Sequence, residues 1–120
     1  MQNEKNSDKK ETTDEKVLSF YGMATRAGKT VSGMDQACAA AETGCIYIFL
    51  VADDASVRTR KKIIELSRLY KIPCFLFSNI EGLGKFSGKN GRAVCGVTDE
   101  GFAKKLQLLL TENQNALQIQ

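Results

Sequence analysis

The stretch Ile46-Tyr47-Ile48-Phe49-Leu50-Val51-Ala52, followed at once by Asp53-Asp54-Ala55-Ser56, decides the fold. Its apolar residues are β-branched or aromatic in the main and show no polar alternation, the pattern of a strand buried on both faces. Such a strand needs a layer of helices over each face of its sheet. The polar cluster after it opens a helix that runs to about Tyr70, with Ile63, Leu66 and Tyr70 turned inward. Asp53 and Asp54 fit the start of that helix, where acids satisfy free N–H groups and oppose the macrodipole.

Upstream, Val17, Phe20, Tyr21 and Ala24 recur at helical spacing, and Gly28 can terminate that helix. Thr30-Val31-Ser32 is short and β-prone. Ser32 and Asp35 make a capping signature ahead of an alanine-rich helix ending near Gly44. Downstream, Pro73 precedes the strand Cys74–Phe77, and a short helix spans about Ile80 to Phe86. The loop Gly88-Lys89-Asn90-Gly91 leads to a strand from Arg92 to Val97, and Thr98-Asp99 caps a last helix ending near Leu110. The alternation α-β-α-β-α-β-α-β-α argues for one sheet covered on both faces. The chain of 120 residues suffices for one domain. The expected organisation is a disordered tail over 1–15, the domain over 16–111 and a frayed tail over 112–120.

Composition narrows the function. Apolar residues make up 42% and charged residues 26%, ordinary values for a globular domain. No apolar run approaches the ~18 residues of a membrane span, and residues 1–16 are too polar for a signal-peptide core. A cytoplasmic protein without membrane contact is expected. There is no histidine, which removes histidine-based acid–base catalysis. Cys38, Cys45, Cys74 and Cys95 stand far apart among apolar neighbours and read as reduced core residues, with no metal and no cofactor expected. Net charge is +3. Residues 1–16 hold four lysines and five acids, whereas the remainder holds 13 Lys and Arg against 9 Asp and Glu, a weakly basic domain that permits nucleic-acid contact.

A nucleotide site nearly forms. Gly22 to Thr30 ends in Gly28-Lys29-Thr30, and Ile46 to Asp53 resembles a strand delivering a magnesium ligand. A phosphate-binding loop, however, needs four residues between its glycines so that successive N–H groups curl around phosphate. Gly22 and Gly28 enclose five, and a helix rather than a strand precedes them. Gly82 to Gly88 has the wrong spacing for dinucleotides. The chain reads as a binding protein and not an enzyme.

Two segments carry chemistry suited to RNA. The first comprises Arg26 and Lys29, two cations, followed by the helix start Ser32, Gly33, Met34, Asp35 and Gln36. Helix N-termini offer N–H donors to phosphates or base edges, Gly33 permits close approach, and Gln36 can donate and accept. The second is the basic loop Lys89, Asn90, Gly91 and Arg92. The run Arg58-Thr59-Arg60-Lys61-Lys62 is the densest basic patch; it sits within a helix, where an exposed charged face is the ordinary explanation, and phosphate contact is its lesser alternative.

The ordered set Arg26-Ala27-Gly28-Lys29, Val31-Ser32-Gly33, Val51-Ala52-Asp53-Asp54-Ala55-Ser56, Ile72-Pro73, Leu83-Gly84, Gly88-Lys89 and Val97 to Ala103 resembles the L-seven-Ae ribosomal protein family, in its small bacterial branch of the YlxQ type. The resemblance covers about Lys16 to Leu110. It implies an α/β protein, a three-layer α/β/α sandwich around a mixed four-stranded sheet, and binding to kink-turn RNA. In that family the start of the second helix reads sheared G·A pairs and a later loop closes over the kink, which here means Gly33–Ala39 and Lys89–Arg92. The family's strong binders carry Gly-x-Asn-Glu-x-x-Lys. Gly33 matches and Gln36 keeps a polar group, but Asp35 replaces an amide and Ala39 lacks the cation. An ionised Asp cannot donate to a guanine acceptor and repels phosphate, so tight kink-turn binding does not follow. The expected protein is ribosome-associated and binds structured RNA such as ribosomal RNA, with ribosomal proteins as further partners, and it is expected to be a monomer. The alternative is a protein-interaction module that keeps the fold and has lost tight RNA binding.

Overall fold

A computed structural model of the chain describes residues 13–88 and 91–120. In chain order the elements are α1 (Thr13–Arg26), β1 (Thr30–Ser32), α2 (Met34–Glu42), β2 (Ile48–Val51), α3 (Val57–Tyr70), β3 (Cys74–Leu76), α4 (Ile80–Ser87), β4 (Val94–Val97), α5 (Glu100–Thr111) and β5 (Leu117–Gln118). The expected tail over 1–15 therefore gives up residues 13–15 to α1, and residues 1–12 lie outside the described ones.

The apolar run supplies β2, the middle strand, whose four residues are all buried. It pairs in parallel with β3, Leu50 opposite Phe75, and antiparallel with β4, Leu50 opposite Cys95. β1 extends the sheet on the far side of β4, antiparallel, and β5 closes the edge of β3. The order is β1-β4-β2-β3-β5, a mixed sheet of five strands where four were expected. Tyr47, at the entry to the run, is 40% exposed, so double-sided burial begins one residue later.

Strand alternation sorts the core into two layers. Ile48, Leu50, Phe75, Cys95 and Val97 pack with Val17 and Tyr21 of α1, Leu83 of α4, and Leu106 and Leu110 of α5. Phe49, Val51, Cys74 and Val94 pack with Ala37, Ala40 and Ala41 of α2 and Ile63 of α3. The result is a three-layer α/β/α sandwich. Each fully buried Leu, Ile or Phe contributes roughly 1.5–3 kcal/mol, so β2 is where substitution costs most. Gly96 in β4 is required by space: a Cβ there would lie 2.5 Å from Ile46 Cδ1 and 2.9 Å from the Ile48 carbonyl oxygen.

Several local expectations change. On α3, Ile63 is buried and Leu66 packs against the core, but Tyr70 is exposed, and Ser67 takes the inward place with its hydroxyl donating to the Ile63 carbonyl at 2.7 Å. The N-cap of α3 is Ser56, whose Oγ accepts from the Thr59 N–H. Asp54 instead accepts from the Ile80 N–H at 2.8 Å and so serves the start of α4, 26 residues away. Asp99 caps α5 as the sequence indicates. Of the cysteines, Cys74 and Cys95 are buried, Cys38 is half-buried and Cys45 is exposed in the connection to β2.

The segment 112–120, expected to fray, is anchored. Asn113 is buried, and its Nδ2 donates to Thr13 Oγ1 at 3.1 Å and Asp14 Oδ1 at 2.8 Å; Asn115 Nδ2 donates to the same carboxylate. Ala116 packs on one core layer and Ile119 on the other, so the segment wraps the sheet edge. No helix among the described residues is long and apolar enough to cross a membrane.

Asn113 is itself buried and donates to both Thr13 and the Asp14 carboxylate, so Asn113→Ala, which removes both bonds, should cost about 1–3 kcal/mol in urea denaturation. An unchanged midpoint would show that the strap contributes nothing. Burial pushes the Cys74 thiol up to about 11 and the Cys95 thiol up to about 12. In the unfolded chain a thiol ionises near ~8.5, so above that pH the unfolded state binds fewer protons than the folded one and stability falls. The decline should begin near pH ~9 and continue through the folded values, and Cys95→Ala should flatten it in denaturation curves taken across that range.

Candidate nucleic-acid interface

The site begins where β1 gives way to α2. Ser32 is held in the ladder opposite Cys95 and is 8% exposed, so its side chain is unavailable as a helix cap. The N-cap is Gly33, at φ 91° and ψ 155°, and no side chain caps the helix. The expected Ser32–Asp35 capping pair is therefore absent. The backbone combination at Gly33 belongs to a region essentially closed to residues with a Cβ. Gly33 N–H donates to the Val94 carbonyl at 2.8 Å, and its own carbonyl accepts from Ala37 N–H at 3.0 Å, the first bond of α2. The N–H groups of Met34, Asp35 and Gln36 precede that first turn and point outward from it as donors.

Gln36 folds back so that its Oε1 accepts from the Ser32 N–H at 3.1 Å. One lone pair of Oε1 is thereby engaged, and the two Nε2 hydrogens remain as donors. Asp35 is exposed in the same turn.

The Gly33–Val94 hydrogen bond brings the approach to β4 against the start of α2. Arg92 lies over Gly33: a Cβ on that glycine would sit 3.5 Å from Nη1 and 3.6 Å from Cδ of the arginine. Ser32, Gly33, Met34, Asp35, Gln36 and Arg92 together line a cavity of about 280 Å³. A second one, about 190 Å³, shares Gly33, Met34 and Arg92 and adds Thr59, Gly91, Ala93 and Val94. Gly91 takes a φ of 77° beside it. Residues nearly sixty positions apart in the chain meet here.

The structure thus gathers Ser32, Gly33, Met34, Asp35, Gln36, Gly91 and Arg92 into one corner. Lys89 and Asn90 lie outside the described residues. Arg26 and Lys29 do not join the group. Arg26 ends α1 and its Nη1 comes back toward Gly22, 3.6 Å from where a Cβ on that residue would be. Lys29 is exposed at the opposite end of β1, its carbonyl accepting from Thr98 N–H at 2.8 Å. The three residues of β1 separate Lys29 from Gly33, four steps or roughly 13 Å of extended chain. Thr59 is the residue that sequence reasoning missed. It sits in the basic run of α3, and no local pattern marks it as a neighbour of Gly33.

Gly22 to Thr30 forms no phosphate-binding loop. Gly22 is buried inside α1, Gly28 turns out of that helix at φ 74°, and Lys29 leads into a strand. Among the described residues no group of three or more His, Cys, Asp or Glu is placed to hold a metal ion.

Steric room at Gly33 is ordinary, since Arg92 comes no nearer than van der Waals contact; the obstacle to a side chain is the backbone. Gly33→Ala should therefore destabilise the fold by roughly 1–3 kcal/mol and shift the amide resonances of the first turn of α2. A substitution that is neutral in thermal melts and silent in those resonances would contradict this account.

Comparison with known proteins gives a consistent result. The model of the ribosomal protein L7Ae/L30e/S12e/Gadd45 family matches residues 15–107. A protein of Enterococcus faecium named RNA-binding protein YlxQ is 40% identical over 97 residues, covering 80% of this chain and 92% of its own. A protein of the same name from Bacillus subtilis (strain 168) is 39% identical over 91 residues, covering 76% and 91%. A solved structure of a protein with unknown function from Bacillus halodurans C superposes with a TM-score of 0.77 at 36% identity, covering 81% of this chain and 98% of that one. The Giardia lamblia 15.5kD RNA binding protein shares the fold at a TM-score of 0.65 and 14% identity, over 83% and 92% of the two chains. With two thirds of its length and more matched by both the family model and these relatives, the chain belongs to the ribosomal protein L7Ae/L30e/S12e/Gadd45 family.

Proposed function

We propose that this protein binds structured RNA of kink-turn type through the first turn of α2 and the segment leading into β4. The observation that carries the reading is the uncapped start of α2, with the Arg92 side chain lying over Gly33 in one open cavity. Unpaired N–H groups at a helix start favour an anion, and a guanidinium beside them supplies a donor for phosphate or a guanine edge. Relatives at about 40% identity bear the name RNA-binding protein, which supports the same reading. In it the protein works in the cytoplasm as a monomer, with ribosomal RNA as its target and ribosomal proteins as neighbours, and performs no catalysis.

Asp35 favours a second reading. Its carboxylate lines the cavity, accepts but does not donate, and opposes phosphate. A protein-interaction module that has lost tight RNA binding would tolerate that residue. Ribosome capture before and after nuclease treatment separates the two, because nuclease-resistant capture by a ribosomal protein favours the module.

Gel shifts with kink-turn, duplex and single-stranded RNA across a salt series test the first reading. Binding of the kink-turn RNA ahead of the others is expected, and Arg92→Ala should weaken it on the order of tenfold, about 1.4 kcal/mol. Failure to bind any RNA at about 50 mM salt would reject the reading.

A further inference from the structure

Helix α3 carries five cations (Arg58, Arg60, Lys61, Lys62, Arg68) against one acid, Glu65. That surplus equals the whole excess of positive charge beyond residue 16. Four of the five fall in the first two turns, and no acid stands in the first turn. The macrodipole disfavours cations there, so helix stability does not explain them. Arg60 has a structural role, since it is half-buried and its Nη2 donates to the Asp53 carbonyl at 3.2 Å. Arg58, Lys61 and Lys62 are exposed. The nearby Asp54 carboxylate is engaged with the Ile80 N–H.

Thr59, inside this run, lines the smaller cavity together with Gly33, Met34, Gly91 and Arg92. At about 100° per residue, Arg58 and Lys62 flank Thr59 on one side of the helix, about 100° and 60° round from it and away from the buried Ile63. Lys61 and Arg68 project roughly opposite Thr59. The exposed face beside the cavity is therefore basic, and it continues the surface that begins at Arg92.

We infer that Arg58 and Lys62 form a second contact for the same RNA, gripping the phosphate backbone of the duplex next to the segment held at α2. This rests on the RNA reading above and extends it from one corner to a ridge across two helices. Contacts to phosphate carry no sequence information, so the ridge sets affinity and salt dependence and leaves the preference among RNAs to the α2 corner.

The test is a salt series of kink-turn RNA binding for the full chain, for R58Q/K62Q and for K61Q/R68Q, which removes the same charge from the opposite flank. Gln is a comparable helix former, and melting curves check that both variants stay folded. R58Q/K62Q should weaken binding about tenfold near 0.1 M salt and reduce the slope of log K against log salt by about 2, because each phosphate contact adds ~0.9. K61Q/R68Q should change the slope by less than about 0.5. Equal losses in both variants would reduce the effect to net charge and overturn the assignment. An unchanged slope in R58Q/K62Q would also overturn it, and with loss of nuclease-resistant ribosome capture would assign the ridge to an acidic protein surface. If the unsubstituted chain binds no RNA, the RNA reading itself fails; if it binds and only the slope prediction fails, the fault lies with the ridge.

Discussion

The antiparallel pairing of β1 with β4, prolonged by the hydrogen bond from Gly33 N–H to the Val94 carbonyl, is the constraint on which the candidate site depends. It is a three-residue ladder at the edge of a sheet, yet it fixes two things at once. It forces the chain to leave β1 through a conformation that only glycine adopts readily, and so sets the direction in which α2 starts. It also carries the segment before β4 to the same place, which lays Arg92 over the helix start. Without this pairing the two segments would have no common frame, and the loop entropy separating them would have to be met by the ligand.

The ladder is held from beneath. Tyr21 of α1 is fully buried, its hydroxyl within 3.5 Å of the Val31 carbonyl, and burial pushes its ionisation far above the ordinary tyrosine range. Neighbouring Cys95 and Val97 belong to the same core layer. At the opposite edge the sheet is closed by β5, whose approach is clamped by Asn113 and Asn115 on the start of α1. An open edge at β3 would present unpaired N–H and C=O groups as a template for association. Asn113 and Asn115, just beyond the end of α5, thus tie the C-terminal segment to the first turn of α1 and hold β5 on this edge.

What was legible in the sequence follows from how local each signal is. The run Ile46–Ala52 identifies a central strand because burial on two faces leaves no polar position, and the helical spacing of Val17, Tyr21 and Ala24 marks the inner face of α1 just as directly. Caps misled where tertiary pairing intervened. Ser32 has the right chemistry and spacing for a helix cap, but the ladder holds it in β1, while Asp54 serves a helix distant in the chain. Tyr70 fits the inward stripe of α3 by spacing, yet the smaller Ser67 occupies it. The last strand was invisible because its anchor is an asparagine whose partners lie about a hundred residues away, and isolated Ala116 and Ile119 make no periodic pattern. In the candidate site, Gly33 to Gln36 were readable as a helix start and Arg92 as a basic loop residue. Arg26 and Lys29 are close to the corner in sequence but apart from it in the fold, since β1 carries the chain away from them, and Thr59 had no local signal because only the tertiary fold brings α3 to that corner.

Charge at the corner decides how far that corner can act alone. The start of α2 contributes about half a positive charge, and Arg92 a full one, against the full negative charge of Asp35. The sum is only about half a charge in favour of an anion. With a Debye length near 10 Å at ~0.1 M salt, charges beyond the neighbouring helix are largely screened. A polyanion would gain little from so small a surplus, whereas the helix packed against the corner at Thr59 bears the largest cationic excess in the molecule. An acidic residue in the first turn of α2 is thus compatible with a nucleic-acid surface provided that the attraction is spread over both helices. In that arrangement α2 supplies geometry and donors and α3 supplies charge, so that Asp35 lowers affinity without abolishing it.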